Sequence, residues 1–566
     1  MLRHYRREIR YIVLYALVGG LISLSLPLGV QAIIGLIAGG SISASWGVLV
    51  FGVIVGALLT GLLRILQLSI MEHLQRRIFT DAALEFALRI PRLNLEKLRK
   101  EHLPEVVNRF FDTTNIQKGL PKLLIDGTTA LITIILSLGV LSFYHPTFVT
   151  FSLLLIFVLV LMLYFTSSSG LATSLNESKY KYKLVHWLEE VSRVAATFKL
   201  AGENHYPVQV ADKLTVQYLD ARGRHWRILM IQFISGLMFR VLVLSGFLIV
   251  GSLLVMANEL NLGQFVASEI LVLYVIDSVE KLVLLHETGY DVLTATEKLG
   301  QVTDLPIEEE TGVRIEEFCR ENSLKVELRN LSYQFDDGDE PVLKNLNLTI
   351  MPGEKVAITG YNGAGVSTLM QIISVLKREN TGTLLFNELP VQNLHLRSVR
   401  HHIGDLSSQE DIFKGTILDN ITLGRETTNI REVLEWCNLT GLNDFLRDQS
   451  KGLDTEMYPG GRNTPGSVVS KILITRAVAG NPKLLALEKP LNNLILQDRL
   501  RIATLLTEKK RPWTLVAATE DPIMASLCER IIVLKDGEFV FDGSYQELMQ
   551  TEHSNFIFKY NLNQDQ

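Results

Sequence analysis

Lys355-Val-Ala-Ile-Thr-Gly360-Tyr361-Asn362-Gly363-Ala364-Gly365-Val366-Ser367-Thr368 is the stretch on which the fold turns. Five residues of strand character lead into a glycine-rich turn, and an apolar helical run follows. Strand, turn and helix in that order form the setting in which backbone N–H groups cradle phosphates. Gly360, Gly363 and Gly365 permit the tight turn and close backbone approach, and Ser367 would offer its hydroxyl to Mg²⁺. The position after Gly365 holds Val366, where a loop of this kind carries the lysine that reaches the β- and γ-phosphates. On these residues alone, a structural turn explains the stretch as well as a nucleotide loop does.

Around the loop, from residue 322 to 566, short strands alternate with helices, the pattern of an α/β domain. A polar linker, 301–321, with Glu308, Glu309 and Glu310, precedes it. Residues 1–300 are of another kind. The chain is 48% hydrophobic, and that excess lies almost entirely before residue 300. It falls in six runs, about 11–37, 47–70, 121–143, 147–167, 228–256 and 263–286, each near the roughly 20 apolar residues that cross a bilayer. Soluble helices show a polar face, and these mostly do not. The basic start, Arg3, Arg6, Arg7 and Arg10, precedes an apolar run from Tyr11 to Ala38 that is too long for a signal peptide, so it reads as the first span.

Loop charges orient the spans. The connections near Gly39–Ser45, His145–Pro146 and Asn258–Gly263 carry no Lys or Arg, whereas the one after the second span holds Arg76, Arg77, Arg89, Arg92, Lys97, Arg99, Lys100 and Arg109. Positive charge stays inside, which puts both termini, the long connections 71–120 and 168–227 and the α/β domain in the cytoplasm. The long connections read as amphipathic helices that continue the spans. Arg64, Arg240 and Glu269 lie within apolar runs, where charge is costly. Arg240 and Glu269 are a candidate pair or path lining, with snorkelling or structural pairing as the alternative.

A net charge of −5 without a basic stripe gives no sign of a nucleic-acid partner. Cys319, Cys437 and Cys528 are odd in number and lack metal-ligand spacing, which suits reduced cytoplasmic thiols.

Val107-Asn-Arg-Phe-Phe-Asp, Trp187-Leu-Glu-Glu, Phe198-Lys-Leu-Ala-Gly and Gly263-Gln-Phe-Val-Ala in the first half join a second series in the other. That series is Val342-Leu-Lys-Asn-Leu, Pro352-Gly-Glu-Lys, Gly415-Thr-Ile-Leu-Asp-Asn-Ile, Gly452-Leu-Asp-Thr-Glu, Arg476-Ala and Asn481-Pro-Lys-Leu-Leu. In this order the chain resembles the ABC exporter family over its whole length. It is most similar to the type I secretion and peptide-export branch, without the N-terminal peptidase domain some members carry. The resemblance implies an α-helical membrane domain of six spans fused to one P-loop NTPase-like nucleotide-binding domain. It also implies a half-transporter acting as a dimer in the inner (cytoplasmic) membrane, with a periplasmic adaptor as a further partner of that branch.

The resemblance also shows what is absent. Phe335 matches the aromatic residue on which adenine stacks, and a core phenylalanine is the plain alternative. The glutamine that contacts Mg²⁺ aligns with Ser408, beside Gln409. The family's Leu-Ser-Gly-Gly-Gln signature becomes Thr464-Pro465-Gly466-Ser467-Val468, losing a hydroxyl and an N–H at Pro465. Glu488 stands for the metal-organising aspartate, Lys489 for the general-base glutamate, Thr519 for the switch histidine and Ile495 for a loop aspartate. A cation takes no proton from water and repels Mg²⁺. Lys489 could in part replace the charge missing at Val366.

ATP and Mg²⁺ are therefore expected to bind weakly, through Phe335, Gly360, Asn362, Gly363, Ala364, Gly365, Val366, Ser367 and Thr368, with Ser367 and Glu488 at the metal. No residue is expected to be catalytic. Three readings stay open: a degenerate subunit beside an intact partner, a homodimeric scaffold or regulator, and a decaying exporter. The retained glycines, strands and linker speak against the last.

Overall fold

A computed structural model describes residues 5–38, 44–94, 103–308, 310–335, 338, 340–378, 381–406, 412–425 and 428–557. Two compact units divide at Ile307/Glu308.

The first unit is helical: α1 (Arg6–Ser23), α2 (Ser25–Ala38), α3 (Ala44–Arg89), α4 (Leu103–Asn108), α5 (Thr113–Lys122), α6 (Thr128–Tyr144), α7 (Pro146–Arg193), α8 (Ala195–Leu200), α9 (Tyr206–Met256) and α10 (Leu262–Thr303). Among the described residues five helical stretches are long and apolar enough to cross a membrane: Arg6–Ala38, Ala44–Arg92, Val106–Tyr144, Tyr206–Met256 and Leu262–Thr303. The span expected at 147–167 falls in α7, where the described apolar run, Pro146–Met162, is shorter. The basic connections are helical, as α3 continues to Arg89, α7 to Arg193, and α9 begins at Tyr206.

Local chemistry sets the starts. His145 Nδ1 accepts from the Thr147 N–H at the head of α7, and Asn261 with Gln264 closes a capping box on α10. On α3, Val48, Phe51, Ile54, Leu58, Leu62 and Ile65 recur at helical spacing and all stay exposed. An outward apolar stripe of that kind suits lipid or a partner helix, not water.

Inside, Phe247 stacks between Phe148 and Phe265, at 6.1 and 5.5 Å between centroids. Farther along the same helices, α7, α9 and α10 meet at a joint where Gln232 Nε2 donates to Tyr290 Oη at 2.7 Å. The Tyr290 ring lies against Gly170, where an added Cβ would come within 2.1 Å of Cζ. Gly170→Val should therefore cost about 1–3 kcal/mol through overpacking. Thermal unfolding of the detergent-solubilised chain reads that loss, and an unchanged midpoint would remove the joint's importance.

The intramembrane charges pair, but not as one expectation had it. Arg240 Nη1 meets Glu280 Oε1 at 2.8 Å, so its partner is Glu280 and not Glu269. Glu280 lies three helical turns beyond Glu269 on nearly the same face of α10, and the level along the helix at which α9 lies beside α10 selects it. Arg64 pairs with Asp126 at 2.9 Å.

The second unit holds β1 (Val326–Tyr333), β2 (Leu343–Ile350), β3 (Lys355–Gly360), β4 (Thr381–Phe386), β5 (Leu389–Pro390), β6 (Ile403–Leu406), β7 (Gly415–Thr416), β8 (Glu456–Met457), β9 (Leu484–Glu488), β10 (Thr514–Ala518), β11 (Arg530–Lys535) and β12 (Glu538–Gly543). The main sheet runs β12-β11-β3-β10-β9-β6, parallel except for β12. A second, antiparallel sheet runs β2-β1-β4-β5, and β7 pairs β8.

Central strands are apolar on both faces, as parallel strands between two layers must be. Leu484, Ala486, Val516 and Ala518 face one core, and Leu485, Leu487, Leu515 and Ala517 the other. Pairings Ala518↔Ile358 and Ala518↔Glu488 bring the carboxyl ends of β3, β10 and β9 level. That edge is where open α/β sheets take ligands.

Lys355, fully buried at the start of β3, donates to the carbonyls of Arg511 and Trp513. Burial pulls its ammonium down from 10.5 to about 8. The folded state thus favours the neutral amine: this contribution is complete above pH 10.5 and is lost as pH falls through 8. The stability of the wild type relative to Lys355→Met should rise by up to about 3 kcal/mol between pH 7 and 10.5, and a flat difference would contradict it.

Candidate functional site

The turn after β3 is built as the glycines require. Gly363 and Gly365 hold φ of 80° and 98°, left-handed values that a side chain strains. A Cβ on Gly365 would lie 2.7 Å from Leu343 Cδ2. Ala364, buried, closes the turn by donating its N–H to the Tyr361 carbonyl at 3.0 Å. The helix Val366–Ile373 then starts at Gly365, its first N–H groups unspent and its positive end toward the turn.

Together with the ends of β9 and β10 this loop encloses a cavity of about 380 Å³, within the range of small-molecule sites. Phe335, Gly360, Asn362, Gly363, Ala364, Gly365, Val366, Ser367, Thr368 and Glu488 all line it, as do Lys489 and Thr519. Each residue expected to hold nucleotide or metal is thus in one place.

Their individual settings differ. Ser367 Oγ donates to Glu488 Oε1 at 2.5 Å, so a hydroxyl and a carboxylate converge as two hard oxygens. That donor set fits Mg²⁺, which takes few protein oxygens beside water and phosphate. The left-handed glycines fit a phosphate chain equally. Val366 packs its side chain against the domain core and offers the cavity only methyl groups. Phe335 is half-buried at the rim, edge-on to Tyr333 at 5.1 Å, with Lys377 Nζ 4.6 Å from its ring centroid.

Across the cavity Lys489 follows β9 with a φ of 49°. Its N–H donates to Ala518 O at 2.7 Å, and its Nζ lies 3.8 Å from Glu520 Oε1. Thr519 is buried, its Oγ1 taken by the Asp521 N–H at 3.0 Å. A threonine so engaged cannot exchange protons as an imidazole would.

Other expectations resolve away from the cavity. Pro465 caps the helix Gly466–Val478 without a side-chain hydrogen bond, and none of 464–468 lines the cavity. Ile495 is 64% exposed. Ser408 and Gln409 lie outside the described residues.

Two contributors were not foreseen. Glu520 enters because β9 and β10 run in register, so the residues that follow Glu488 and Ala518 emerge side by side; the run Ala518-Thr519-Glu520 carried that signal. Tyr361 also lines the cavity and shares a 3.0 Å hydrogen bond with His553, which no local pattern announces.

Comparison with known proteins gives the class. A family model described as the ABC transporter transmembrane region matches residues 9–279, and one described as ABC transporter matches 343–492. The chain belongs to the ABC transporters, as a half-transporter with one transmembrane region and one ATP-binding domain.

Its relatives include the alpha-hemolysin translocation ATP-binding protein HlyB of Escherichia coli O157:H7, 28% identical over 57% of this chain and 45% of that protein. The mesentericin-Y105 transport/processing ATP-binding protein MesD of Leuconostoc mesenteroides is 24% identical over 95% of this chain and 74% of its own length. This chain thus spans less than half of the hemolysin protein. The structure of a bacterial Atm1-family ABC exporter with ATP bound superposes with a TM-score of 0.87 at 17% identity, covering 98% of both chains. The fold is therefore that of the ABC exporters.

Proposed function

We propose that this chain works in a dimer as an export-type ABC subunit that holds nucleotide without hydrolysing it. One observation carries the reading: Val366, Lys489 and Thr519 line the same cavity as an intact phosphate turn. The turn's N–H groups would hold a phosphate chain, and Ser367 with Glu488 would hold Mg²⁺, which when bound neutralises phosphate charge. Neither Lys489, a cation, nor Thr519, engaged by backbone, would take a proton from water at the positions of the family's base and switch histidine.

Peptides or proteins are the proposed cargo, by likeness to relatives named for hemolysin and mesentericin. The basic connections support a cytoplasmic nucleotide-binding domain and cytoplasmic termini in the inner membrane. A periplasmic adaptor is part of the same proposal.

A non-transporting scaffold or regulatory subunit is the second reading, favoured by Thr464–Val468. A degenerate subunit beside an intact partner would need a good signature for that partner's site, and Pro465 and Ser467 spoil it. Purifying the protein from its source membrane and identifying its companions tests both. Recovery with a second ABC half and a cargo-dependent complex supports export; recovery as a bare homodimer that moves no peptide in vesicles overturns it.

A further inference from the structure

We propose that Lys489 is the phosphate-gripping cation of this cavity, transferred from the loop position of Val366 to the end of β9. The inference rests on the reading that the cavity takes a nucleotide, and it names the residue that would do the taking.

Among the described residues that line the cavity, Lys489 is the one cation, and Glu488 and Glu520 are the carboxylates. Its place is set by neighbours on both sides. Glu488 touches Ser367, the second residue of the helix that follows the phosphate turn, so Lys489 lies one residue from that helix's positive end. The left-handed backbone at Lys489 and the bond from its N–H to Ala518 fix where the side chain leaves the sheet. Lys489 lines the cavity that Val366 lines only with methyl groups, and its four methylenes give the ammonium the reach to enter it.

Among the described residues the ammonium is held loosely. Its ion partner, Glu520 Oε1, is 3.8 Å away, beyond hydrogen-bond distance, and the two side chains are 54% and 57% exposed. Exposed pairs of this kind contribute little. A phosphate oxygen, charged and held opposite by backbone N–H groups, is the stronger acceptor. A lysine binds phosphate as a point charge with three donors, so it needs reach more than a particular direction of approach. The substitution that removes the general base thus supplies the charge that the loop has lost. The outcome is a site that grips and does not turn over.

The test is equilibrium binding of N-methylanthraniloyl-ATP with Mg²⁺ to the full chain in lipid nanodiscs. Lys489→Ala should raise Kd at least about tenfold, while Lys489→Arg stays within about threefold of wild type. Val366→Lys, which restores the cation at the loop, should restore tight binding to the Lys489→Ala chain. Lys489→Ala binding within twofold of wild type overturns the proposal. So does a wild type that binds nothing, whether or not Val366→Lys binds. Phosphate release, read on the same samples, bears on the silent-ATPase reading alone, so the two can fail separately.

Discussion

Phosphate release by the purified chain should lie at least about a thousandfold below that of an intact exporter, whatever lipid or cargo is added. General-base catalysis is worth roughly 10²–10⁴ in rate, and a lost charge-stabilising group roughly 10²–10³. Lys489 removes the first and Val366 the second from the cavity. Such effects do not add in full, so a thousandfold deficit is the conservative figure. Restoring Val366→Lys, Lys489→Glu and Thr519→His together should recover little, because Thr464–Val468 still lacks its donors. Adding Pro465→Ser and Ser467→Gly should recover at least about tenfold more, read by phosphate release from proteoliposomes. Wild-type turnover at an exporter's normal rate would end the reading of a silent site.

Trp513→Ala should strongly destabilise the second unit. The indole is buried, donates to Leu506 O at 3.1 Å, and lies 5.8 Å from Trp436. Arg511 reaches over both rings, at 4.9 Å from Trp436 and 5.8 Å from Trp513, while the Trp513 carbonyl holds the buried Lys355. Truncating a buried tryptophan costs about 3–5 kcal/mol, a large share of the roughly 5–15 that a domain has. Trp513→Phe keeps most of the contact and should cost about half as much. Limited proteolysis across a urea series, followed by gel, separates the two; equal resistance in wild type and Trp513→Ala would refute the estimate.

What could be read beforehand was what averages over many residues or rests on a glycine. Hydropathy placed the helical unit because lipid demands about 20 apolar residues at a stretch, and Gly363 and Gly365 announced the turn because a left-handed backbone favours them. Most of the cavity's roster was readable too, since its residues sit in the turn, at the start of the helix after it or at strand ends, with Glu520 and Tyr361 the ones missed. Pairings between helices were not. Whether Arg240 meets Glu269 or Glu280, which share nearly one face of α10, depends on the level at which α9 and α10 lie beside each other, and spacing along one helix is silent on that. Lys377 over Phe335 and His553 on Tyr361 are contacts between distant segments, which composition cannot place.

The seat of Tyr290 against Gly170 constrains how this transporter can drift. A lone methyl at 170 would drive Cβ into the phenol ring, so that step must follow or accompany a trimming of the ring at 290. Losing the phenol also removes the hydroxyl to which Gln232 Nε2 donates. The three positions should therefore change as a set among descendants of this sequence: glycine, tyrosine and glutamine together, or a larger residue, a smaller one and an apolar one in their stead.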